Sequence, residues 1–136
     1  KQKSGRVVFV SSVAGLLGTQ YRASYSAAKA AIHMWANSLR AEVSKDGVEV
    51  SVVFPGFVKT NVSFNALNGE GKPQGHQDEA IENGLDADVF AQRVVEALMA
   101  GEEYVVVGGK KEQLGVLVSR LSPSLLYKMI RKTKVK

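Results

Sequence analysis

The sequence predicts an α/β fold in which helices cover both faces of a parallel sheet. Three short apolar runs rich in β-branched residues are typical of strands buried on both faces: "GRVVFVSS", "VEVSVVF" and "EYVVVGG". Longer segments lie between and after them, and their apolar residues recur every three or four positions, as in amphipathic helices. This alternation of strands and helices predicts a doubly wound parallel sheet.

The first half of the chain predicts two strands joined by a long helix. Residues 5–12 form the first strand, and we expect both of its faces to be buried. The helix begins near Ser24 and ends near Gly47, and the second strand covers residues 48–54. The apolar stripe of the helix consists of Ala28, Ile32, Trp35, Leu39 and Val43.

Residues 57–85 predict a long loop with one short helix, because glycine, asparagine and polar residues dominate and no period holds. A longer helix follows, with Asp86 as its N-cap, a hydrophobic staple of Leu85 on Phe90, and Gly101 at its end. The third strand covers residues 103–109. The predicted buried face of the helix consists of Ala87, Phe90, Ala91, Val94, Val95 and Leu98.

Residues 110–136 predict a tail of two short helices. The second begins with Ser122 as its N-cap and Pro123 as its first helical residue. The predicted apolar stripes are Leu114, Leu117, Val118 and Leu121 in the first helix and Leu125, Leu126, Met129 and Ile130 in the second.

The composition excludes several classes of site. The 136 residues are 45% hydrophobic and 23% charged, as in one modest globular domain or part of a larger one. The absence of cysteine excludes disulfides, thiolate chemistry and cysteine-bound zinc. The two histidines, His33 and His76, lie outside metal-ligand spacing, so we expect no metal site. No apolar run approaches the roughly 20 residues that cross a bilayer.

The net charge of +5 comes from the tail. Residues 119–136 carry six cations and no acid, so the other 118 residues sum to −1. The tail lacks a nucleic-acid-binding motif, and we expect no nucleic-acid partner. The six cations are Arg120, Lys128, Arg131, Lys132, Lys134 and Lys136. The last helix is therefore amphipathic and basic, and three interpretations stay open: packing on the core, a subunit contact, or a membrane surface.

Tyr25 and Lys29 lie one helical turn apart, so their side chains point the same way. A free phenol loses its proton only near pH 10, and a neighbouring ammonium group favours the phenolate, which makes tyrosine usable as a general acid or base. Ser12 lies 13 residues before Tyr25, at the carboxyl end of the first strand. Ligands of open parallel sheets bind outside such strand ends. Taken alone, each of these could be an ordinary surface or strand-end residue.

A third element, "PGFVKT", lies at the carboxyl end of the second strand. Pro55 and Gly56 predict a sharp exit from the strand, and the missing side chain of Gly56 would let the backbone approach a flat ligand. Thr60 offers a hydroxyl group to an amide or a phosphate. The alternative is a plain strand-ending turn.

With "GRVVFVSSVAG", "YSAAK" and "VVFPGFVKT" in this order, the chain resembles the short-chain dehydrogenase/reductase family. The resemblance implies the C-terminal portion of a single Rossmann-like, NAD(P)-binding domain over residues 1–136. The glycine-rich cofactor loop, the residue that selects between NAD and NADP, the Asn-Asn-Ala-Gly segment and the catalytic asparagine of the family would all precede Lys1. The segment "YSAAKAAIHMWANSLRAEV" and the tail are similar to the branch with the 11-beta-hydroxysteroid dehydrogenases and dehydrogenase/reductase family member 7.

The resemblance also implies roles for the matching residues. Ser12 would hold the substrate oxygen, Tyr25 would exchange a proton with it, and Lys29 would bind the nicotinamide ribose and favour the phenolate. The loop of residues 57–85 would cover the substrate. The residues lying against nicotinamide would be Pro55, Gly56, Val58, by its backbone, and Thr60.

The function implied by the resemblance is hydride transfer between NAD(P)(H) and an alcohol or ketone, with a lipid or steroid among the candidate substrates. NADP is favoured over NAD by the branch alone. We expect a homo-oligomer, and the isolated chain is expected to be inactive without the cofactor loop. The localisation stays open between the cytoplasmic side and the endoplasmic reticulum membrane. The alternative function is a non-catalytic dinucleotide-binding or scaffold protein.

Overall fold

A computed structural model describes residues 3–133. Three strands form one sheet of order β1-β2-β3, and both pairings are parallel. The predicted α/β class with a parallel sheet is therefore confirmed. In chain order the elements are β1 (Gly5–Val10), α1 (Ala14–Leu17), α2 (Ala23–Val43), β2 (Val48–Pro55), α3 (Glu79–Glu82), α4 (Ala87–Met99), β3 (Tyr104–Val107), α5 (Lys110–Leu121) and α6 (Pro123–Lys132).

Strand β2 is the centre of the sheet and separates two apolar clusters. Its alternate side chains Val52 and Phe54 pack with Ala36 of α2 on one face. On the other face Val53 packs with Val105 of β3 and with α4. Helices therefore cover both faces of β2, as the sequence predicts for a doubly wound sheet.

The predicted burial of β1 on both faces is wrong. Val7, Val8 and Val10 are 39–58% exposed. Among the described residues β1 pairs only with β2 and forms an edge of the sheet, so its outer side chains have few neighbours.

The predicted long helix and its ends are confirmed, but its stripe is only partly buried. Helix α2 covers Ala23–Val43, and its one fully buried residue is Ala36 rather than a member of the predicted stripe. Trp35 packs edge-on against Phe9, with ring centroids 5.1 Å apart, yet more than half of its surface stays exposed. Ala28 is also exposed.

The loop of residues 57–85 contains one short helix, α3, as the sequence predicts. The predicted N-cap of α4 is confirmed, since the Asp86 carboxylate accepts hydrogen bonds from the N–H groups of Asp88 and Val89. Gly101 follows the helix with a φ of +84°, a conformation that favours glycine. The residues of α4 that pack on the sheet are Phe90, Val94, Ala97 and Leu98, whereas the predicted Ala87, Ala91 and Val95 are exposed.

The apolar stripe predicted for α5 is largely wrong. Leu114, Leu117 and Leu121 are 53–75% exposed, whereas Gly115 and Val116 are buried. The cause is a close approach of α5 to α1, where a Cβ added to Gly115 would lie 2.9 Å from Leu17 Cδ1. The small residue sets which face of the helix turns inward.

Helix α6 begins at Pro123 as predicted, although Ser122 makes no side-chain cap. Leu126 is buried, whereas Leu125 and Met129 are partly exposed. Two of the predicted tail cations, Lys134 and Lys136, lie outside the described residues. No helix within residues 3–133 is both long enough and apolar enough to span a bilayer.

Candidate active site

The segment that follows β1 carries Ser12 and is bonded to the end of β2. The N–H of Val13 donates to the carbonyl oxygen of Pro55 at 2.9 Å. The Ser12 hydroxyl donates to the same oxygen at 3.4 Å and accepts from the N–H of Ala14 at 3.1 Å. Ser12 therefore lies where the carboxyl ends of two neighbouring parallel strands meet, as its place in the sequence predicts.

Tyr25 and Lys29 lie together in the first two turns of α2. Lys29 Nζ is 5.8 Å from the centroid of the Tyr25 ring, within the range of a cation–π contact. The same ammonium group donates to the carbonyl oxygen of Val10, at the end of β1, over 3.3 Å. Tyr25 itself is 45% exposed, so part of this residue is open to solvent.

Two contacts join the Ser12 segment to the helix of Tyr25. The buried hydroxyl of Ser11 donates to the Lys29 carbonyl oxygen at 2.7 Å. Gly15 lies so close to α2 that a Cβ there would be 2.8 Å from the Lys29 carbonyl carbon. The sequence reasoning missed both residues as positioning groups, although the quoted "SSVAG" contains them. Within residues 3–133 the Ser12 hydroxyl makes no hydrogen bond to Tyr25 or Lys29.

The turn after β2 runs beside β3 and then pairs with Leu85. The N–H of Gly56 donates to the Val107 carbonyl oxygen at 2.8 Å. A Cβ on Gly56 would lie 3.0 Å from the Gly108 Cα, so the missing side chain serves the approach of the β3 end. The absence of a side chain at Gly56 is therefore explained by packing against Gly108, whereas the sequence predicted the approach of a flat ligand.

Val58 presents free backbone groups. It forms a parallel bridge with Leu85. In this bridge the N–H of Leu85 donates to the Phe57 carbonyl oxygen, and the N–H of Lys59 donates to the Leu85 carbonyl oxygen, so both hydrogen bonds go to the neighbours of Val58. This pattern turns the N–H and C=O of Val58 away from Leu85. Neither group has a hydrogen-bond partner among the residues that the structure describes. Thr60 is exposed, and its hydroxyl accepts from the N–H of Val62 at 3.4 Å.

His33 lies deeper on α2 and serves packing. Its ring meets those of Phe54 and Tyr104 edge-on, at centroid distances of 4.9 Å and 5.8 Å. Burial and the positive charges of Arg40 and Arg120 lower the pKa of His33 below its ordinary value of 6.5. Its ring therefore fills space between α2 and the sheet, and the lowered pKa disfavours its charged form.

The comparison with protein families decides the assignment. The family described as short chain dehydrogenase matches residues 1–70, which include Ser12, Tyr25, Lys29 and the turn after β2. The chain belongs to the short-chain dehydrogenase family. The resemblance inferred from the three motifs is thus confirmed, and the family is one of oxidoreductases.

Relatives within the short-chain dehydrogenase family support the predicted branch. The chain is 37% identical to "Dehydrogenase/reductase SDR family protein 7-like" of Drosophila melanogaster, with all of this chain and 42% of the relative covered. It is 35% identical to "Dehydrogenase/reductase SDR family member 7B" of Xenopus laevis, with 100% and 44% covered. The chain therefore spans less than half the length of these curated relatives.

A solved structure supports the fold. A short chain dehydrogenase from Burkholderia cenocepacia, in complex with NADP, superposes with a TM-score of 0.74. It is 24% identical, and the match covers 96% of this chain and 48% of that one. The predicted Rossmann-like class is confirmed by this likeness.

Proposed function

We propose that the protein containing this chain is an NAD(P)-dependent oxidoreductase that moves a hydride between the cofactor and an alcohol or ketone. The observation that carries the proposal is the position of the Lys29 ammonium group, 5.8 Å from the Tyr25 ring centroid and 3.3 Å from the Val10 carbonyl oxygen. Through the Val10 contact, the pair of Tyr25 and Lys29 lies at the carboxyl end of β1, and Ser12 follows Val10 by two residues. Ligands of parallel sheets bind outside such strand ends.

The chain's own residues handle the proton and the substrate oxygen. Tyr25 is the general acid that protonates the oxygen of a ketone as it is reduced, and the base that removes this proton in the reverse direction. Lys29 brings a positive charge to within 5.8 Å of the Tyr25 ring centroid and so offsets the negative charge that develops as the proton moves. Ser12 turns its hydroxyl from the Pro55 carbonyl to the substrate oxygen and so orients it. When bound, NAD(P)H supplies the hydride.

The backbone of Val58 fits a nicotinamide carboxamide. Its free N–H can donate to the amide oxygen and its free C=O can accept from the amide nitrogen. Lys29 would bind the ribose hydroxyls, and Thr60 lies two residues beyond Val58. We assign Pro55, Gly56, Val58 and Thr60 to the cofactor side of the site. NADP and NAD both stay open, and NADP is favoured by the branch resemblance alone.

The isolated chain is proposed to be inactive. No glycine-rich phosphate-binding loop of the G-x-G-x-x-G type occurs in the sequence. The outer edge of β1 is unpaired within residues 3–133, and its valines are exposed. We propose that further strands of a longer chain pair there, carry the phosphate-binding loop and cover these valines.

The surface of α6 is proposed to be a subunit contact. The helix exposes apolar side chains, including those of Leu125 and Tyr127, next to Lys128, Arg131 and Lys132. The alternative is that α6 binds a membrane surface, such as that of the endoplasmic reticulum. In that case the substrate would be a lipid or steroid taken from the membrane. Co-sedimentation with anionic vesicles at low and high salt separates the two, since a subunit contact needs no lipid.

The experiment that tests the proposed function replaces Tyr25 in the full-length protein, meaning the complete translated product that contains residues 1–136. We expect Tyr25→Phe to lower kcat for ketone reduction by about 10²- to 10⁴-fold, the usual contribution of a positioned acid or base. We expect cofactor binding, followed by NAD(P)H fluorescence, to stay within about two-fold of that of the wild type, because the aromatic ring remains and only the hydroxyl is lost.

Tyr21→Phe is the matched control, because Tyr21 is 91% exposed and belongs neither to the proposed site nor to the proposed subunit contact. Full turnover by Tyr25→Phe refutes the catalytic role and favours the non-catalytic dinucleotide-binding or scaffold alternative. Turnover by residues 1–136 alone refutes the proposal that the site is incomplete.

A further inference from the structure

The far end of the loop of residues 57–85 contacts the beginning of the tyrosine helix. Arg22 Nη2 lies 3.3 Å from the Asp78 Oδ2 atom. Arg22 immediately precedes α2 and stands three residues before Tyr25. The two side chains are 36% and 23% exposed, so the pair is partly shielded from water. One ion pair therefore links this loop to the element that carries the candidate acid.

The Asp78 side chain contacts Arg22 and does not cap its own helix. It occupies the N-cap position of α3, where aspartate normally accepts from the first free N–H groups of the helix, but its side chain makes no such bond. Asp86, at the N-cap of α4, does make these bonds. The Asp78 carboxylate instead meets Arg22 and accepts from Gln74 Nε2 at 3.2 Å. Its orientation is thus set across the loop and not by its own helix.

A negative charge from another segment stabilises the N-terminus of α2. The N-terminus of a helix carries a partial positive charge and favours anions, yet the first turn of α2 contains no acidic residue. Arg22 adds a further positive charge at this end. Because Asp78 lies beside Arg22, the attraction acts between two separate segments of the chain.

A buried polar network closes the loop into a single unit. The Ser63 hydroxyl is buried, accepts from the N–H of Asp78 at 3.1 Å and donates to Gln77 Oε1. Gln77 Nε2 donates to the Thr60 carbonyl oxygen at 2.9 Å. The two ends of the segment 63–77 are therefore held together, and this segment carries the exposed side chains of Phe64 and Leu67.

We propose that the Arg22–Asp78 pair is a latch that holds the loop of residues 57–85 closed against the first turn of α2 and so sets the affinity for substrate. Arg22 and Asp78 are positioning residues, since neither has a role in the proton exchange. The link to substrate affinity rests on the proposed function, whereas the attachment of the loop does not.

Limited proteolysis of the full-length protein tests the attachment. Chymotrypsin cleaves after Phe64 and Leu67, which are exposed in the loop. Mass spectrometry of the fragments distinguishes cleavage at these two residues from cleavage elsewhere in the chain. We expect Asp78→Asn to raise the initial rate of cleavage at these two residues about three- to five-fold, as for the loss of a partly exposed ion pair. The matched control Glu79→Gln removes a neighbouring exposed acid and leaves the rate unchanged. The double variant Arg22→Asp, Asp78→Arg exchanges the two charges, and we expect its cleavage rate to return towards that of the wild type.

Steady-state kinetics of the same variants test the positioning role. We expect Asp78→Asn to raise the KM for ketone by about three- to five-fold, with kcat and the Kd of the cofactor within about two-fold, and the charge exchange to reverse this. An unchanged cleavage rate in Asp78→Asn overturns the latch. An unchanged KM in an active enzyme overturns the link to substrate. If the full-length protein transfers no hydride, the proposed function fails while the proteolysis still decides the latch.

Discussion

Replacement of Gly15 by alanine probes the contact that holds the Ser12 segment against α2. The added Cβ would lie 2.8 Å from the Lys29 carbonyl carbon, 2.9 Å from the Ala30 nitrogen and 3.0 Å from Lys29 Cβ. Ordinary contact begins at 3.4 Å, so α1 must withdraw by about 0.5 Å. Two of these atoms belong to helix backbone, which cannot rotate aside. We therefore expect the cost of an overpacked site, about 1–3 kcal/mol of unfolding free energy.

Urea unfolding and steady-state kinetics of the full-length protein measure this effect. The midpoint falls in Gly15→Ala, and kcat drops by about ten-fold because Ser12 moves relative to Tyr25 and misplacements of this order are costly. Gly69→Ala is the matched control, since a Cβ there meets nothing within 4 Å. If Gly15→Ala matches the wild type and the control in both assays, the close packing of Gly15 on α2 does not position Ser12.

Two further predictions concern stability. Burial and the charges of Arg40 and Arg120 lower the pKa of His33 below 6.5 in the folded protein, so the unfolded state binds the proton more readily. The contribution of neutral His33 to the unfolding free energy is therefore complete above about pH 6.5 and is lost as the pH falls below this value. His33→Gln should flatten this loss in urea unfolding at a series of pH values, whereas His76→Gln, at an exposed position, should not. Asp86→Ala should lower the unfolding free energy by about 1 kcal/mol through loss of the α4 cap, and Asp86→Asn by less, which thermal unfolding can measure.

The elements that local chemistry defines could be predicted from the sequence. Gly47 ends the segment of α2, Asp86 starts α4 and Gly101 ends it, each through a backbone conformation or a side-chain cap that the residue type itself favours. The pair of Tyr25 and Lys29 was equally accessible, because four residues make one helical turn whatever surrounds the helix.

Burial depends on neighbours that spacing does not reveal. The run of valines in β1 reads as a central strand, but its exposure follows from its place at the edge of the sheet. In α5 the leucines outnumber other apolar residues, yet Gly115 lets the helix approach Leu17 most closely and so turns the leucines outward. The pairing of Arg22 with Asp78 joins residues 56 positions apart, a separation at which sequence pattern carries no signal.

The candidate site divides into a part that local contacts fix and a part that they do not. The Ser11 hydroxyl and the close packing of Gly15 both end on Lys29 itself, so the contacts that align Ser12 with the tyrosine helix lie within residues 11–30. The phosphates of a dinucleotide, by contrast, need a glycine-rich turn followed by a helix N-terminus, which the sequence does not contain. The arrangement of Ser12, Tyr25 and Lys29 can therefore form in this chain even though hydride transfer is proposed to need the longer protein. A loss of activity on truncation would thus reflect the missing cofactor loop and not a disordered acid–base pair.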